Sequence, residues 1–179
     1  MLIGAKRFNV YFTAVMVVSA VFFCGCHTDD VEKTPLAVLS LHMEANTELP
    51  DTSSPVPIFR ENPIMVNADK DPILTEAEIK SAKIVNVLGG FAIQITFSDQ
   101  GRWMLEQYTA SNQGRRIAIL CHWDKKLKET RWIAAPTISR RISNGILTFT
   151  PDATREESEK IVLGLNNMAK RSNKKADEW

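Results

Sequence analysis

The chain has 179 residues, with 22 Lys and Arg against 21 Asp and Glu, three His, and a formal charge of +1. That near-balance argues against a nucleic-acid binder, which would show a marked basic excess. The length suits one domain able to bury a core without covalent staples.

The chain opens with Lys6 and Arg7, an apolar run from Val10 to Phe23, then Cys24-Gly25-Cys26 and the polar His27-Thr28-Asp29-Asp30. The run suits a secretory signal, whose apolar part spans about 7–15 residues. It falls short of the ~20 that a membrane-spanning helix needs. The segment resembles a bacterial lipoprotein signal peptide: residues 1–25 are expected to be removed and Cys26 lipidated. Phe23 and Cys24 replace the Leu and small residue usual there, so the alternatives are an uncleaved anchor or ordinary cleavage. Lipid adds about 0.8 kcal/mol of anchoring per buried methylene. His27, where many inner-membrane lipoproteins carry Asp, favours the outer membrane. Removal of the signal leaves 20 basic and 21 acidic residues. Cys121 is then the remaining thiol, so no internal disulfide is expected; its apolar context reads as a buried small hydrophobe.

Residues 26–36 read as a polar tether, 37–170 as the domain and 171–179 as a charged tail. Leu39, Leu41 and Met43 alternate with Ser40 and His42, which predicts a half-buried strand with His42 on its outer face. Asn46 to Pro57, with three prolines, reads as a loop, and Val56–Phe59 and Ile64–Val66 read as short extended segments around Pro63. Thr75-Glu76-Ala77-Glu78 is a capping-box pattern and predicts a short helix to about Ala82. A strand is expected over 84–87, closed by Gly89-Gly90. Phe91, Ile93, Ile95 and Phe97 give the clearest strand. Ser98 should cap a helix reaching about Asn112, with Met104, Leu105 and Tyr108 as its apolar stripe and Gly114 ending it.

Arg115 to Trp123 is apolar on both faces in its middle and belongs centrally in a sheet. A charged turn, 124–130, leads to a returning strand over 131–135. Ile138–Ile142 and Ile146–Thr150 flank Ser143-Asn144-Gly145, a hairpin signal. Thr154-Arg155-Glu156-Glu157 opens the last helix, with Ser158, Ile161, Val162, Leu165 and Met168 on one face. This order predicts an α+β domain: a mostly antiparallel sheet with two main helices packed on one side.

Three stretches carry a family resemblance. They are Phe97-Ser98-Asp99-Gln100-Gly101 with Leu105 and Thr109-Ala110-Ser111-Asn112; Gly114-Arg115-Arg116-Ile117-Ala118-Ile119; and Ile133-Ala134-Ala135-Pro136-Thr137-Ile138 with Gly145 and Thr154-Arg155-Glu156-Glu157-Ser158. In order and spacing they resemble the head subdomain of the first periplasmic domain of SecD, the accessory subunit of the bacterial protein-export translocase. Pro72-Ile73-Leu74-Thr75 and Ala82 fit its lead-in. The longer charged turn at 124–130 replaces the family's usual Leu-Asp-Gly. After its signal the chain has no apolar run long enough for SecD's membrane helices. The resemblance therefore implies a stand-alone head on the periplasmic side of a bacterial membrane, without the motor, contacting exported polypeptide or an envelope complex.

No catalytic cluster emerges. His27, His42 and His122 lack zinc-type spacing, and neither metal nor cofactor is expected. Cys121 and His122 are adjacent strand residues pointing to opposite faces, and Glu156, Glu157 and Glu159 suit a solvated helix start. The candidate partner-binding residues are Trp123 and Trp132, expected to face each other across a hairpin, with Lys125, Lys126 and Lys128 at its tip. A cross-strand aromatic pair that merely stabilises the hairpin is the bland alternative. Arg115, Arg116, Arg140 and Arg141 could form a basic patch for anionic headgroups or acidic partners. The expected function is a non-catalytic, lipid-anchored protein-interaction module using an open sheet edge. A structural envelope lipoprotein and a small-ligand-binding protein are the alternatives.

Overall fold

The computed structural model describes residues 35–45, 52–124 and 127–176. The expectations for the signal segment, Cys26, Lys125 and Lys126 lie outside these residues.

Among the described residues, eight strands and two α-helices run in the order β1 (Leu36–Met43), β2 (Ser53–Ile58), β3 (Ile64–Asp69), β4 (Ile79–Val87), β5 (Gly90–Phe97), α1 (Asp99–Ser111), β6 (Ile117–Asp124), β7 (Glu129–Ala134), β8 (Ile146–Phe149) and α2 (Arg155–Ala176). Every strand pairing is antiparallel, so the α+β class with two main helices holds. The strands divide into two three-stranded sheets, β1-β6-β7 and β4-β5-β8, and a hairpin, β2-β3. Helix α2 lies against both three-stranded sheets, through β1 and β4. Its buried side carries Ser158, Ile161, Leu165 and Ala169, while Met168 is only partly buried. Between α2 and the sheets sits one apolar core built from Leu39, Leu41, Ile93, Ile95, Ile119 and Ile133 among others.

β6 is central, as its two apolar faces require. Ile117, Ile119 and Cys121 enter the main core. Ala118 faces the other way, into a second cluster with Val56, Ile58, Val66 and Ala68 from the β2-β3 hairpin. That second layer corrects the expectation for His42. It stands on the outer face of β1, but the hairpin covers it. Its Nδ1 is 2.8 Å from the Asp69 carbonyl oxygen and its Nε2 is 2.9 Å from Ser40 Oγ.

Four further local expectations are corrected. The extended segment expected from Val56 begins three residues earlier, at Ser53, inside the expected loop: in β2 Pro55 and Pro57 face out while Val56 and Ile58 face in, and a proline's missing N–H is tolerated on a strand with a free edge. The Thr75 capping box forms, with Glu78 Oε2 accepting from Thr75 N at 2.8 Å. It encloses a single 3-10 turn, Glu76–Glu78, because the strand after it pairs with β5 from Ile79 onward; tertiary pairing overrides the local helix signal. The buried stripe of α1 is Gly101, Leu105 and Thr109; of the expected residues Leu105 is buried and Met104 packs partly buried on the core, while Tyr108 is exposed. Finally, 138–142 and 146–150 do not pair as a hairpin. Strand β8 pairs with β5 instead, placing Leu147 opposite Ile95 and Phe149 opposite Ile93.

Candidate functional site

The displaced hairpin creates the most distinctive surface of the domain. The Ser143-Asn144-Gly145 turn still forms: Gly145 has φ +68°, and Asn144 Oδ1 accepts from Ile146 N at 3.0 Å. Phe97 N donates to the Gly145 carbonyl at 3.0 Å, which launches β8 against β5. Leu147 and Phe149 turn into the core, while Thr148 and Thr150 are exposed. As the last strand of its sheet, β8 has no strand on its outer edge among the described residues.

Residues 136–142 form the facing wall, fixed from behind. Ile117 N donates to the Pro136 carbonyl at 3.0 Å, Ile138 N to that of Arg115 at 2.8 Å, and Gly114 N to that of Ile138 at 2.8 Å. Ile142 N donates to Thr109 Oγ1 at 2.9 Å, and the same buried hydroxyl donates to the Leu105 carbonyl at 2.7 Å. Between wall and strand runs a groove of about 600 Å³, lined by Gln94, Arg140, Arg141, Asn144, Ile146 and Thr148 among others. It meets a second hollow of about 330 Å³, lined by Phe59, Ala92, Ala134, Ala135, Pro136 and Phe149; Pro136 and Thr148 line both. The result is one trough along β8, polar and arginine-bearing at one end, apolar at the other.

Phe59 is 40% exposed with φ +70°, a costly conformation for a bulky L-residue. Its neighbour holds it there. Arg60 N donates to Asp152 Oδ2 at 2.9 Å, and the Arg60 guanidinium reaches Asp152 at 3.4 Å and Glu157 at 3.6 Å.

Glu157 joins β7 and the β2-β3 tip to the start of α2. It closes the second capping box, its Oε2 accepting from Thr154 N at 2.8 Å while Glu157 N donates to Thr154 Oγ1 at 3.2 Å. Arg131 approaches it at 3.4 Å. That contact is an ion pair without hydrogen-bond alignment, since Arg131 Nε and Nη2 are buried with no hydrogen-bond partner. Partial burial by itself raises the Glu157 pKa. The Thr154 N–H, then the charges of Arg131 and Arg60, outweigh it and hold the carboxyl below its ordinary 4.5. A depressed carboxylate contributes stability above the unfolded value, and this is lost as pH falls through the folded one. Glu157→Gln keeps the capping bond, since glutamine also serves at this position, and removes the charge that faces Arg60 and Arg131; it should therefore cost about 0.5–1 kcal/mol at pH 7. The gap to the native protein should narrow below pH 4.5 in urea titrations; a gap that stays constant as the solution is acidified would contradict this.

The expected tryptophan pair does not form. Trp123 lies opposite Glu129, and Trp132 opposite Leu120. The two rings occupy opposite faces of the sheet. Trp123 is 3% exposed in the main core, with the Arg131 guanidinium carbon 5.0 Å from its ring centre. Trp132 packs on the second cluster, edge-on to His42 at 5.1 Å. Alternation along β6 and β7, with an irregularity between Ile119 and Leu120, separates them. Lys128 is exposed on its turn. Arg140 and Arg141 share the trough, whereas Arg115 Nη1 donates to Asn112 Oδ1 at the end of α1.

Exposed aromatic surface lies elsewhere, on α1. Trp103 is 62% exposed and, with Glu106, Gln107, Ala110 and Arg141, lines a shallow hollow. Helical spacing could have revealed it: Trp103 falls two positions, roughly 200°, from both Gly101 and Leu105.

Cys121, His122 and Asp124 form no catalytic set. The Cys121 thiol is fully buried, and burial pushes its pKa up to about 12 against a smaller opposing pull from Arg131. His122 points the other way, its Nδ1 2.8 Å from Thr130 Oγ1. In a Cys24→Ser/Cys26→Ser background, Cys121 should react with Ellman's reagent only after denaturant is added; stoichiometric reaction of the folded protein would contradict this. Among the described residues no group of three His, Cys, Asp or Glu could hold a metal ion. No described helix is long and apolar enough to cross a membrane.

No curated protein matches the chain. Solved structures do. One, described as "a membrane component SecDF that enhances protein export", is 18% identical with a TM-score of 0.53, over 93% of this chain and 71% of that one. Another, SecDF in a "Super-membrane-facing form", is 22% identical with a TM-score of 0.52, over 73% of this chain but only 18% of that one. The family model described as "SecDF, P1 head subdomain" matches residues 52–169, from the β2-β3 hairpin into α2. The chain belongs to the SecDF P1 head subdomain family.

Proposed function

We propose that this chain is a non-catalytic, periplasmic protein-interaction module related to protein export, which takes an extended segment of polypeptide along the outer edge of β8. One observation carries the reading: a strand edge with no neighbour among the described residues, beside a wall held in place through Pro136, Ile138 and Ile142 by β6, the residues just before it and α1. A strand edge offers main-chain hydrogen bonds to any sequence, and hollows beside it take alternate side chains. The family and the export role stated for one similar structure support the choice of an exported chain as the client.

Lipid on Cys26 would tether the domain to the outer membrane, and the turn bearing Lys125, Lys126 and Lys128 would add a secondary, charge-based contact beside the partly buried Trp132. Radiolabelled palmitate should enter the wild-type chain and not Cys26→Ser. For the trough, a photoactivatable residue at Thr148 or Ser139 should crosslink to a secreted reporter arrested in export, while one at Lys80 should not. Adducts from Lys80 alone, or from none of these positions, would contradict the assignment.

A further inference from the structure

The two ends of the trough differ in charge as well as polarity. At the polar end Arg140 is exposed, and its side chain has no hydrogen bond or ion pair among the described residues. Arg141 beside it is paired with Glu106, and Arg102, packed under Gly145, with Asp99. The acids at this end are thus engaged, and Arg140 is left as a positive charge over the groove. At the apolar end the flanking acids are Glu61 and Asp152, which with Phe59, Arg60 and Asn62 line the adjoining hollow; Asp152 is held by Arg60. Phe59, Pro136 and the three alanines Ala92, Ala134 and Ala135 offer an apolar seat there.

Side chains of an extended segment return to the same face every second residue, at about 3.3 Å per residue. Ile146 to Thr150 is four such steps, on the order of 13 Å, and this spans from the Arg140 end to the Phe59 end. Building on the polypeptide-binding reading above, we propose that the trough selects extended segments that carry a carboxylate side chain four residues from an apolar one. The carboxylate meets Arg140 and the apolar side chain seats under Phe59. The occupant is a bare extended chain. The Arg140 charge over the groove calls for a carboxylate, and the hollow beside Phe59 for an apolar side chain.

The test uses fluorescein-labelled nine-residue peptides in a Thr/Ser background, with leucine at the third position and glutamate at the seventh, titrated with the full chain and read by fluorescence anisotropy. The glutamate peptide should bind about fivefold more tightly than its glutamine counterpart at low salt, a typical worth for an exposed charge pair. The difference should vanish in about 0.5 M salt. Moving the glutamate one position, onto the opposite face, should abolish it. Arg140→Glu, an exposed change, should reverse the preference in favour of a lysine peptide, and Phe59→Ser should weaken all peptides alike. Equal binding of the glutamate, glutamine and lysine peptides would overturn the charge selection and leave the polypeptide-binding reading standing. Failure of every peptide to bind would overturn both.

Discussion

Gly164→Ala should destabilise the domain by about 3 kcal/mol, although the same change in an ordinary helix interior stabilises by roughly 0.5–1 kcal/mol. Helix α2 crosses β1 at this residue with no room for a side chain. A Cβ on Gly164 would lie 2.5 Å from Ala37 N, 2.6 Å from the Leu36 carbonyl carbon and 2.7 Å from Ala37 Cβ. Two of these three are backbone atoms, so no rotamer change relieves the clash. Either β1 or α2 must move, and β1 is the strand through which α2 meets the β1-β6-β7 sheet. Domain stabilities of about 5–15 kcal/mol make such a loss visible as a large fall in urea midpoint. Leu163→Ala, next to it on the exposed side, is the control and should change little. A Gly164→Ala protein as stable as the native one would mean that the helix does not approach the strand this closely.

Asn166→Ala, half a turn further along α2, should cost about 3 kcal/mol for a different reason. Its side-chain amide pairs with the main chain of Ala82: Ala82 N donates to Oδ1 at 2.9 Å, and Nδ2 donates to the Ala82 carbonyl at 2.9 Å. Among the described residues β4 is an edge strand, and next to the irregularity between Ile79 and Ser81 this one side chain stands in for a neighbouring strand. Its removal leaves a partly buried donor and acceptor without partners, at about 1–3 kcal/mol each before water re-enters. Asn166→Asp separates the pairing from simple packing. It keeps the acceptor for Ala82 N but turns a carboxylate oxygen on the Ala82 carbonyl, so it should be at least as damaging as alanine. Urea unfolding of the two variants measures this; an Asp variant near native stability would remove the strand-mimic role.

The contrast between these two sites marks what the sequence could tell. Period-two alternation identified β5, and a run apolar on both faces identified β6 and correctly implied its central position. Ser98, Thr75 and Thr154 were recognisable caps, and all three cap. The length of the element after the cap was not legible at Thr75, since pairing of Ile79–Val87 with β5 is decided by tertiary structure and not by the capping residues. Asn166 and Gly164 carry no local signal at all: one looks like any polar helical residue and the other like a weak point.

The candidate site was legible in its parts and not in its assembly. Arg140 and Arg141 stood out as a charge pair and Ser143-Asn144-Gly145 as a turn, and both line or shape the trough. Its existence rests on β8 choosing β5 over the segment just before it, and both pairings satisfy the same apolar alternation. Phe59 was hidden by the prolines before it. Trp123 and Trp132 drew attention through residue type, yet strand alternation gave one ring to the core and the other to the second cluster.

Hydrogen exchange of the domain with and without an unfolded secretory polypeptide tests the central claim most directly. Binding along the outer edge of β8 predicts new amide protection within 146–150 and in the wall at 136–142, with β4 and the Trp103 face of α1 unchanged. Protection confined to α1, or to the turn at 124–130, with β8 exchanging as in the free domain, would contradict it.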